Sequence, residues 1–240
     1  MYRAEPDTKS VPPDGKRVAR RSLVLAAIAC RGHLESAPAD SEARSLRARL
    51  TEWVSSVGIE DELEPPEEAI LRASLGELSR QQCLNATWAV EGLAVLAWAL
   101  GQSSFPKHDE KVDPYEVTDA VGFLADDSAE LATATSLRSK DELEACRELL
   151  YAIHCRLREK GRRGRRIDFD QWIEPKWLVL LKIDESWLVI EGDLGILGQP
   201  LHRIDKHTLR SCEWIIRERH RAAIWLRGEH PAYYGFSIDT

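Results

Sequence analysis

Between Cys83 and Leu100 the chain reads CLNATWAVEGLAVLAWAL, apolar on nearly every helical face, with one carboxylate, Glu91, at its centre. Burial disfavours the charged form of a carboxyl group, so Glu91 either serves as a general base with a raised pKa or is neutralised by a cation inside the core. Pairing is the favoured expectation, because buried charges are normally paired. The candidate cations are Arg219 and Arg21. In Arg217-Glu218-Arg219-His220-Arg221 the charges run all round one helical turn, so one of them must approach the face marked by Leu209, Cys212 and Ile216. Arg219 follows Ile216 by three residues and Ile215 by four, and its planar guanidinium suits a carboxylate. Glu91, Arg219, Arg21 and Glu218 are therefore the expected buried charge network.

A second group, His154, Arg156, Asp193 and His220, is the expected lining of a pocket where acid–base chemistry would be available. Neither histidine has a second ligand at i+4, and HxxxH and HExxH are absent. His202 and His207 flank Asp205 with metal-ligand atoms but no diagnostic spacing, so no metal and no cofactor is expected. Gly192-Asp193-Leu194-Gly195 lacks the GxGxxG pattern, and neither GxxxxGK[ST] nor GxSxG occurs; nucleotide-binding loops and hydrolase elbows have no support.

These residues must be positioned by a chain of 240 residues, 43% hydrophobic and 30% charged, which fits an ordinary globular protein. A net charge of −7 argues against nucleic acid as partner, since phosphate-tracking proteins carry surplus Lys and Arg, and makes a basic protein partner electrostatically easier. Cys30, Cys83, Cys146, Cys155 and Cys212 are odd in number and scattered without CxxC, which reads as reduced cysteines in a cytoplasmic protein. Arg20-Arg21 and Ala27-Ile28-Ala29-Cys30 imitate export signals, but the apolar run is too short, and mid-helix Glu91 makes Cys83 to Leu100 a poor membrane span.

The periodicity predicts mainly helices. Asp14 opens a first helix with Val18, Ser22, Leu25 and Ile28 or Ala29 on one face and Arg17, Arg20 and Arg31 off it. Ser41 or Asp40 caps a second, whose Leu46, Leu50, Trp53, Val54 and Val57 form one stripe before Gly58. Pro65-Pro66-Glu67-Glu68 starts a third, running to about Ser74, and the buried helix spans about Ser79 to Gly101. After a polar loop, Gln102 to Pro114, a short helix runs to about Leu124. Ser139 to Glu142 has capping-box spacing and opens a helix to about Lys160. Trp177 to Ile183 reads as strand or helix; a β-hairpin is expected over about 188–204, turning at Gly198-Gln199, and a last helix from Asp205 to Gly228. The aromatic tail YYGFSIDT is expected to pack back. The fold class is mainly α (α+β): residues 1–13 a flexible terminus, 14–240 a single helical domain with a small late β-hairpin insertion.

Several local signatures, taken together, point to a family. Arg21-Ser22-Leu23 and Arg31-Gly32-His33-Leu34-Glu35, Trp88-Ala89-Val90-Glu91-Gly92-Leu93 with Trp98-Ala99-Leu100-Gly101, Leu137-Arg138, His154-Cys155-Arg156-Leu157-Arg158, Gly192-Asp193-Leu194, and Arg217-Glu218-Arg219-His220 through Trp225-Leu226 resemble the domain-of-unknown-function family numbered 4272. The likeness covers nearly the whole chain from about residue 17. It implies the family's order of helices, late hairpin and final helix, in uncharacterised, mainly bacterial proteins, and carries no activity. Where the family pattern has tryptophan after the histidine, this chain has Cys155.

Two function classes follow. One is a non-catalytic protein-interaction module of adaptor, regulatory or toxin-neutralising type; the alternative is a small-molecule-binding protein or enzyme with a pocket around Glu91, His154 and Arg219. A cavity where these three converge favours the alternative and a filled core the first. One charge run remains: Arg156, Arg158, Lys160, Arg162, Arg163, Arg165 and Arg166, with Gly161 and Gly164 making 161–167 a flexible arginine-rich loop. No aromatic residue interleaves with it, which removes a stacking platform for single strands. Limited trypsin digestion of the folded chain should nick first within Arg162 to Arg166, and protection of this segment would contradict the loop reading.

Overall fold

The computed structural model describes residues 11–36, 40–131, 133, 136–163 and 168–238. Helices dominate it. Asp14 accepts from the Arg17 N–H at 2.8 Å and opens α1 (Gly15–Ser36). Asp40 caps α2 (Ser41–Val57) through the Ala43 N–H, and Gly58, at φ 68°, ends it. A short 3₁₀ turn, Glu60–Glu62, leads to α3 (Pro65–Arg72), which has proline in its first turn and a reciprocal Glu64–Glu67 capping box. Ser79 and Gln82 cap α4 (Arg80–Ala99) in the same manner. Asp113 caps α5 (Pro114–Ala120), and a single turn, α6 (Ser128–Leu131), follows. Ser139 and Glu142 exchange hydrogen bonds of 2.9 and 3.2 Å at the start of α7 (Lys140–Arg163).

Beyond it, the apolar run at Trp177 is helical, as α8 (Pro175–Leu181); α9 (Glu185–Leu188) leads into three short antiparallel strands, β1 (Val189–Ile190), β2 (Asp193–Ile196) and β3 (Gln199–Pro200). Asp205 then caps α10 (Lys206–Leu226). In register, Val189 faces Leu194, Ile190 faces Asp193 and Ile196 faces Gln199. Both turns place two successive residues at positive φ, Glu191 (53°) with Gly192 (75°) and Leu197 (48°) with Gly198 (77°), which is the geometry matched to strand twist in type I′ hairpins. The hairpin therefore turns one residue earlier than its Gly198-Gln199 signal, and 201–203 form a 3₁₀ turn where a strand was expected.

α4 lies between α1 and α10, and α7 packs on α10 with α8 against its outer side. One cluster of buried apolar side chains runs from Val18 to Tyr233. α4 is buried from Ala89 to Ala99, whereas its first turns are not: Gln81 and Asn85 are exposed and Leu84 keeps 43% of its surface. The tail packs back through Tyr233 and Ile238.

The placement of Arg31 needs correction, and two segments read as flexible are described only in part. Arg31, placed off the buried face of α1, is fully buried; its Nη2 donates to the Ala73 and Ser74 carbonyls at 3.2 and 2.9 Å and its Nη1 pairs with Glu35 at 2.5 Å. Within the arginine-rich run, 161–163 belong to α7 and 164–167 lie outside the described residues, as do 1–10 of the N-terminal segment. Pro13, read as part of a flexible terminus, is buried. The polar loop after α4 is also fixed in place, since the His108 ring hydrogen-bonds the Gly195 carbonyl at 2.6 Å and Asp109 accepts from the Leu197 N–H at 2.7 Å.

α1 and α4 cross where Gly32 meets Ala86: a Cβ on Gly32 would lie 2.8 Å from both Ala86 Cβ and Thr87 N. In an exposed helix Gly→Ala gains about 1 kcal/mol. Here Gly32→Ala should instead lower unfolding free energy by about 1–3 kcal/mol, read in a denaturant titration, because helix backbone must move apart to admit the methyl group.

Candidate functional site

α4 delivers Glu91 and α10 delivers Arg219 to the same buried point. Arg219 Nε and Nη2 donate to Glu91 Oε2 at 2.9 and 2.7 Å, with the side chains 0% and 1% exposed. The remaining guanidinium capacity goes to backbone: Nη2 donates to the Glu110 carbonyl at 2.7 Å and Nη1 to that of Lys107, while Glu91 Oε1 accepts from the Val112 N–H at 3.3 Å. Burial pushes the Glu91 carboxyl above its ordinary value, against the pull of Arg219, the Val112 N–H and Lys111. Every strong donor and acceptor here is spent inside the protein, which leaves the carboxylate no access to a proton on a bound molecule.

Arg21 and Glu218, expected in the same network, sit elsewhere. Arg21 Nη1 donates to both Glu67 oxygens at 2.8 Å, its Nε to Glu62 at 3.3 Å and its Nη2 to the Glu62 carbonyl, and its guanidinium lies 5.4 Å from the Tyr233 ring centroid. Glu218 pairs with Arg221 at 3.2 Å on its own helix. Helical spacing explains the split: Arg21 lies on the side of α1 that meets the start of α3, about three turns before α1 crosses Ala86 at Gly32.

The expected pocket of His154, Arg156, Asp193 and His220 resolves into two separate pairs. Arg156 Nε and Nη2 donate to the two Asp193 oxygens at 2.8 and 2.9 Å, with both side chains fully buried. Burial alone would raise the Asp193 carboxyl, but the Arg156 hydrogen bonds and charge, the Leu194 N–H and His202 outweigh it and hold the group below its ordinary value. His154 and His220 meet Nδ1 to Nδ1 at 3.0 Å, so one ring donates and the other accepts. Burial first, then His154 and Arg147, lower His220 to about 3, and the ring is neutral at physiological pH. Asp205 is spent on capping α10 and His202 turns to Asp193, so the loose His202, Asp205, His207 trio does not converge. Among the described residues no three His, Cys, Asp or Glu side chains are grouped to hold a metal ion.

Open space lies to one side of these pairs. His154 lines a cleft of about 270 Å³ with Arg158, Arg210, Glu213, Trp214 and Arg217. Trp214 and Arg217 also line a second cleft of about 470 Å³, walled by Glu67, Gln81, Asn85 and Tyr234 among others. Trp214 stacks on Trp88 with ring centroids 6.2 Å apart and 16° between planes; the Lys111 ammonium lies 4.7 Å from the Trp88 centroid and the Arg217 guanidinium 5.3 Å from that of Trp214. The sequence reading missed this ladder. Its signal was present as two stripes at helical spacing, Gln81, Leu84, Asn85 and Trp88 on α4 and Arg210, Trp214 and Arg217 on α10.

A family model described as "Domain of unknown function (DUF4272)" matches residues 3–174. No curated protein and no solved structure matches the chain. The match ends just before α8, so Glu91 with Arg219, Arg156 with Asp193, His154 with His220 and Trp88 with Trp214 each join a residue inside the matched span to one beyond it.

Glu91→Ala should cost about 3 kcal/mol of unfolding free energy by leaving Arg219 charged and uncompensated in the core. A double replacement, Glu91→Leu with Arg219→Met, should recover much of that loss, because removing both charges removes the desolvation problem. Denaturant titration of the single and double variants measures both. Undiminished stability of Glu91→Ala would show that the pair does not secure the core.

Proposed function

We propose, from the premise that the chain belongs to the DUF4272 family, that the protein is a non-catalytic protein-interaction module whose contact surface is the outer face of α4 and α10 around Trp88 and Trp214. The observation that carries the reading is a division of labour among charged side chains. Glu91, Arg219, Arg156, Asp193, Arg21 and Glu67 are sealed in buried ion pairs, while tryptophan, arginine and amide side chains collect at two adjoining clefts. Tryptophan and arginine are the residues that dominate binding energy at protein interfaces.

The alternative reading, a small-molecule enzyme, needs Glu91, His154 and Arg219 around one cavity. Glu91 and Arg219 are packed in the core instead, whereas His154 borders a cleft. The net charge of −7 favours a basic partner at long range. At contact the local field governs, because charges beyond a screening length of about 10 Å at 0.1 M salt contribute little. Arg210 and Arg217 face the one Glu213 carboxylate there, so the contacting segment of the partner carries an acidic side chain. The same reading puts the protein in the cytoplasm, where its five unpaired cysteines stay reduced.

Immobilised full-length chain should recover a specific protein from extract of its native cells at low salt and lose it at high salt. The recovered protein, once purified, should bind wild-type chain and bind a Trp88→Ala, Trp214→Ala variant at least tenfold more weakly, with the variant's melting temperature showing it folded. Equal binding by both chains overturns the reading.

A further inference from the structure

The segment between α4 and α5 carries one buried ring, His108, whose two nitrogens are unequally provided for. Nε2 lies 2.6 Å from the Gly195 carbonyl, which can only accept, so the neutral ring carries its proton there. Nδ1 is shielded from water and has no hydrogen-bond partner. A second proton would place a charge and an unsatisfied donor in a sealed site at once. The ring is 2% exposed and stacks on Trp187, with centroids 5.4 Å apart and 8° between planes. Burial holds it below its ordinary value of 6.5, and Arg219 on α10, itself paired with Glu91 on α4, acts in the same direction. Asp109, the Gly195 carbonyl and Glu110 pull the other way and are outweighed. Lys107 pairs with Glu110 at the surface at 2.8 Å, and Cys212, near Asp109 and Arg219, is a neutral thiol that burial raises to about 11. Arg219 and Glu91 also bind this segment through the backbone of Lys107, Glu110 and Val112. Docked in this way, it lays the Lys111 ammonium 4.7 Å from the Trp88 centroid. His108 in the core and Lys111 on the contact face are three residues apart, so the position of one follows from the other.

We propose that residues 107–112 form an acid-released strap: with His108 docked, Lys111 completes the ladder over Trp88, and a proton on His108 frees the segment and dismantles the ladder from that end. The proposal rests on the reading of the Trp88–Trp214 face as a contact surface and names its regulation; the strap itself is tested without a partner. By linkage, a released ring takes up its proton at the ordinary value of 6.5 while the docked ring resists it, so docking is at full strength above that pH and weakens below it. One proton per release makes the released fraction rise about tenfold for each pH unit below 6.5.

Hydrogen–deuterium exchange of the full chain between about pH 7.5 and about pH 5, corrected for the intrinsic pH dependence of amide exchange, measures release in peptides spanning 107–112 and 193–197. Protection there should fall about tenfold per pH unit below 6.5. In His108→Gln, whose side-chain amide can donate to the Gly195 carbonyl but does not titrate, that fall should be lost. Protection independent of pH in the wild type, or falling equally in wild type and variant, overturns the proposal. If the variant is unprotected at every pH because it does not dock, NMR of the wild-type ring decides. His108 should be the Nε2–H tautomer at neutral pH and gain its second proton only as protection is lost; a ring that charges while the strap stays protected overturns the proposal. The purified partner should bind wild type several-fold more weakly at about pH 5 than at about pH 7.5, and bind the docked variant equally at both. Equal change, or no change, in both chains overturns the strap's control of the contact face. If no partner is recovered and protection falls as stated, the interaction reading falls and the strap stands. If a partner is recovered and protection does not change with pH, the strap falls and the interaction reading stands.

Discussion

The Glu91–Arg219 pair is the contact on which the rest of the arrangement hangs. It joins the middle of α4 to the middle of α10 inside the buried core, and it spends its leftover donors and acceptor on the backbone of Lys107, Glu110 and Val112. A segment that composition marks as loop is thereby fixed against the core. The same segment carries His108 and Asp109, which hold Gly195 and Leu197 of the sheet. The sheet in turn carries Asp193 to Arg156 on α7. Two buried ion pairs and the buried His108 thus connect α4, α10, the loop, the strands and α7 in a single sequence of contacts. Such pairs add little net stability over an apolar core, since desolvation cancels much of the attraction. Their effect is selective: any other register of these elements would strand a charge in the core.

A second clasp closes the opposite end. Arg21 gathers Glu62 and Glu67, and Glu64 accepts the backbone N–H groups of Tyr233 and Tyr234. The C-terminal tail is therefore tied to the turn before α3 by hydrogen bonds to an ionised group, the stronger kind. Tyr233 also lies under Gly92, where any side chain would collide with its hydroxyl at 2.1 Å. The tail and the centre of α4 are consequently interlocked within a turn of Glu91.

Much of this was legible in the sequence because it is local. Caps at Asp14, Asp40, Ser79, Asp113, Ser139 and Asp205 act over two or three residues, and each begins a helix. Arg219 stood out because it breaks an otherwise apolar face. What sequence could not supply was the destination of charges with several possible partners. Arg21 and Arg31 both lie on α1 and both are buried, yet their partners, Glu67 and the Ala73 and Ser74 carbonyls, are set by how α3 crosses α1. The hairpin turn was displaced by one residue because Leu197, a residue with no turn propensity, adopts positive φ where Asp109 holds its N–H. Trp88 was read only as part of an apolar helix and Trp214 was not singled out, since periodicity marks a face without saying what covers it.

The contrast between spent and unspent arginines is what makes the outer face of α10 informative. Arg219 and Arg217 are two residues apart on one helix, about 200° around its axis, so one must face the core if the other faces outward. Arg219 meets a carboxylate and carbonyl oxygens and is complete. Arg217 meets an indole face and keeps an unsatisfied Nε. Stacking on Trp214 costs α10 a large aromatic surface that could have been buried, and a helix selected only for stability would fill that position with packing. One arginine is thus held in a single geometry by the core, and the other by an aromatic ladder at the border of two clefts, where a partner can reach it.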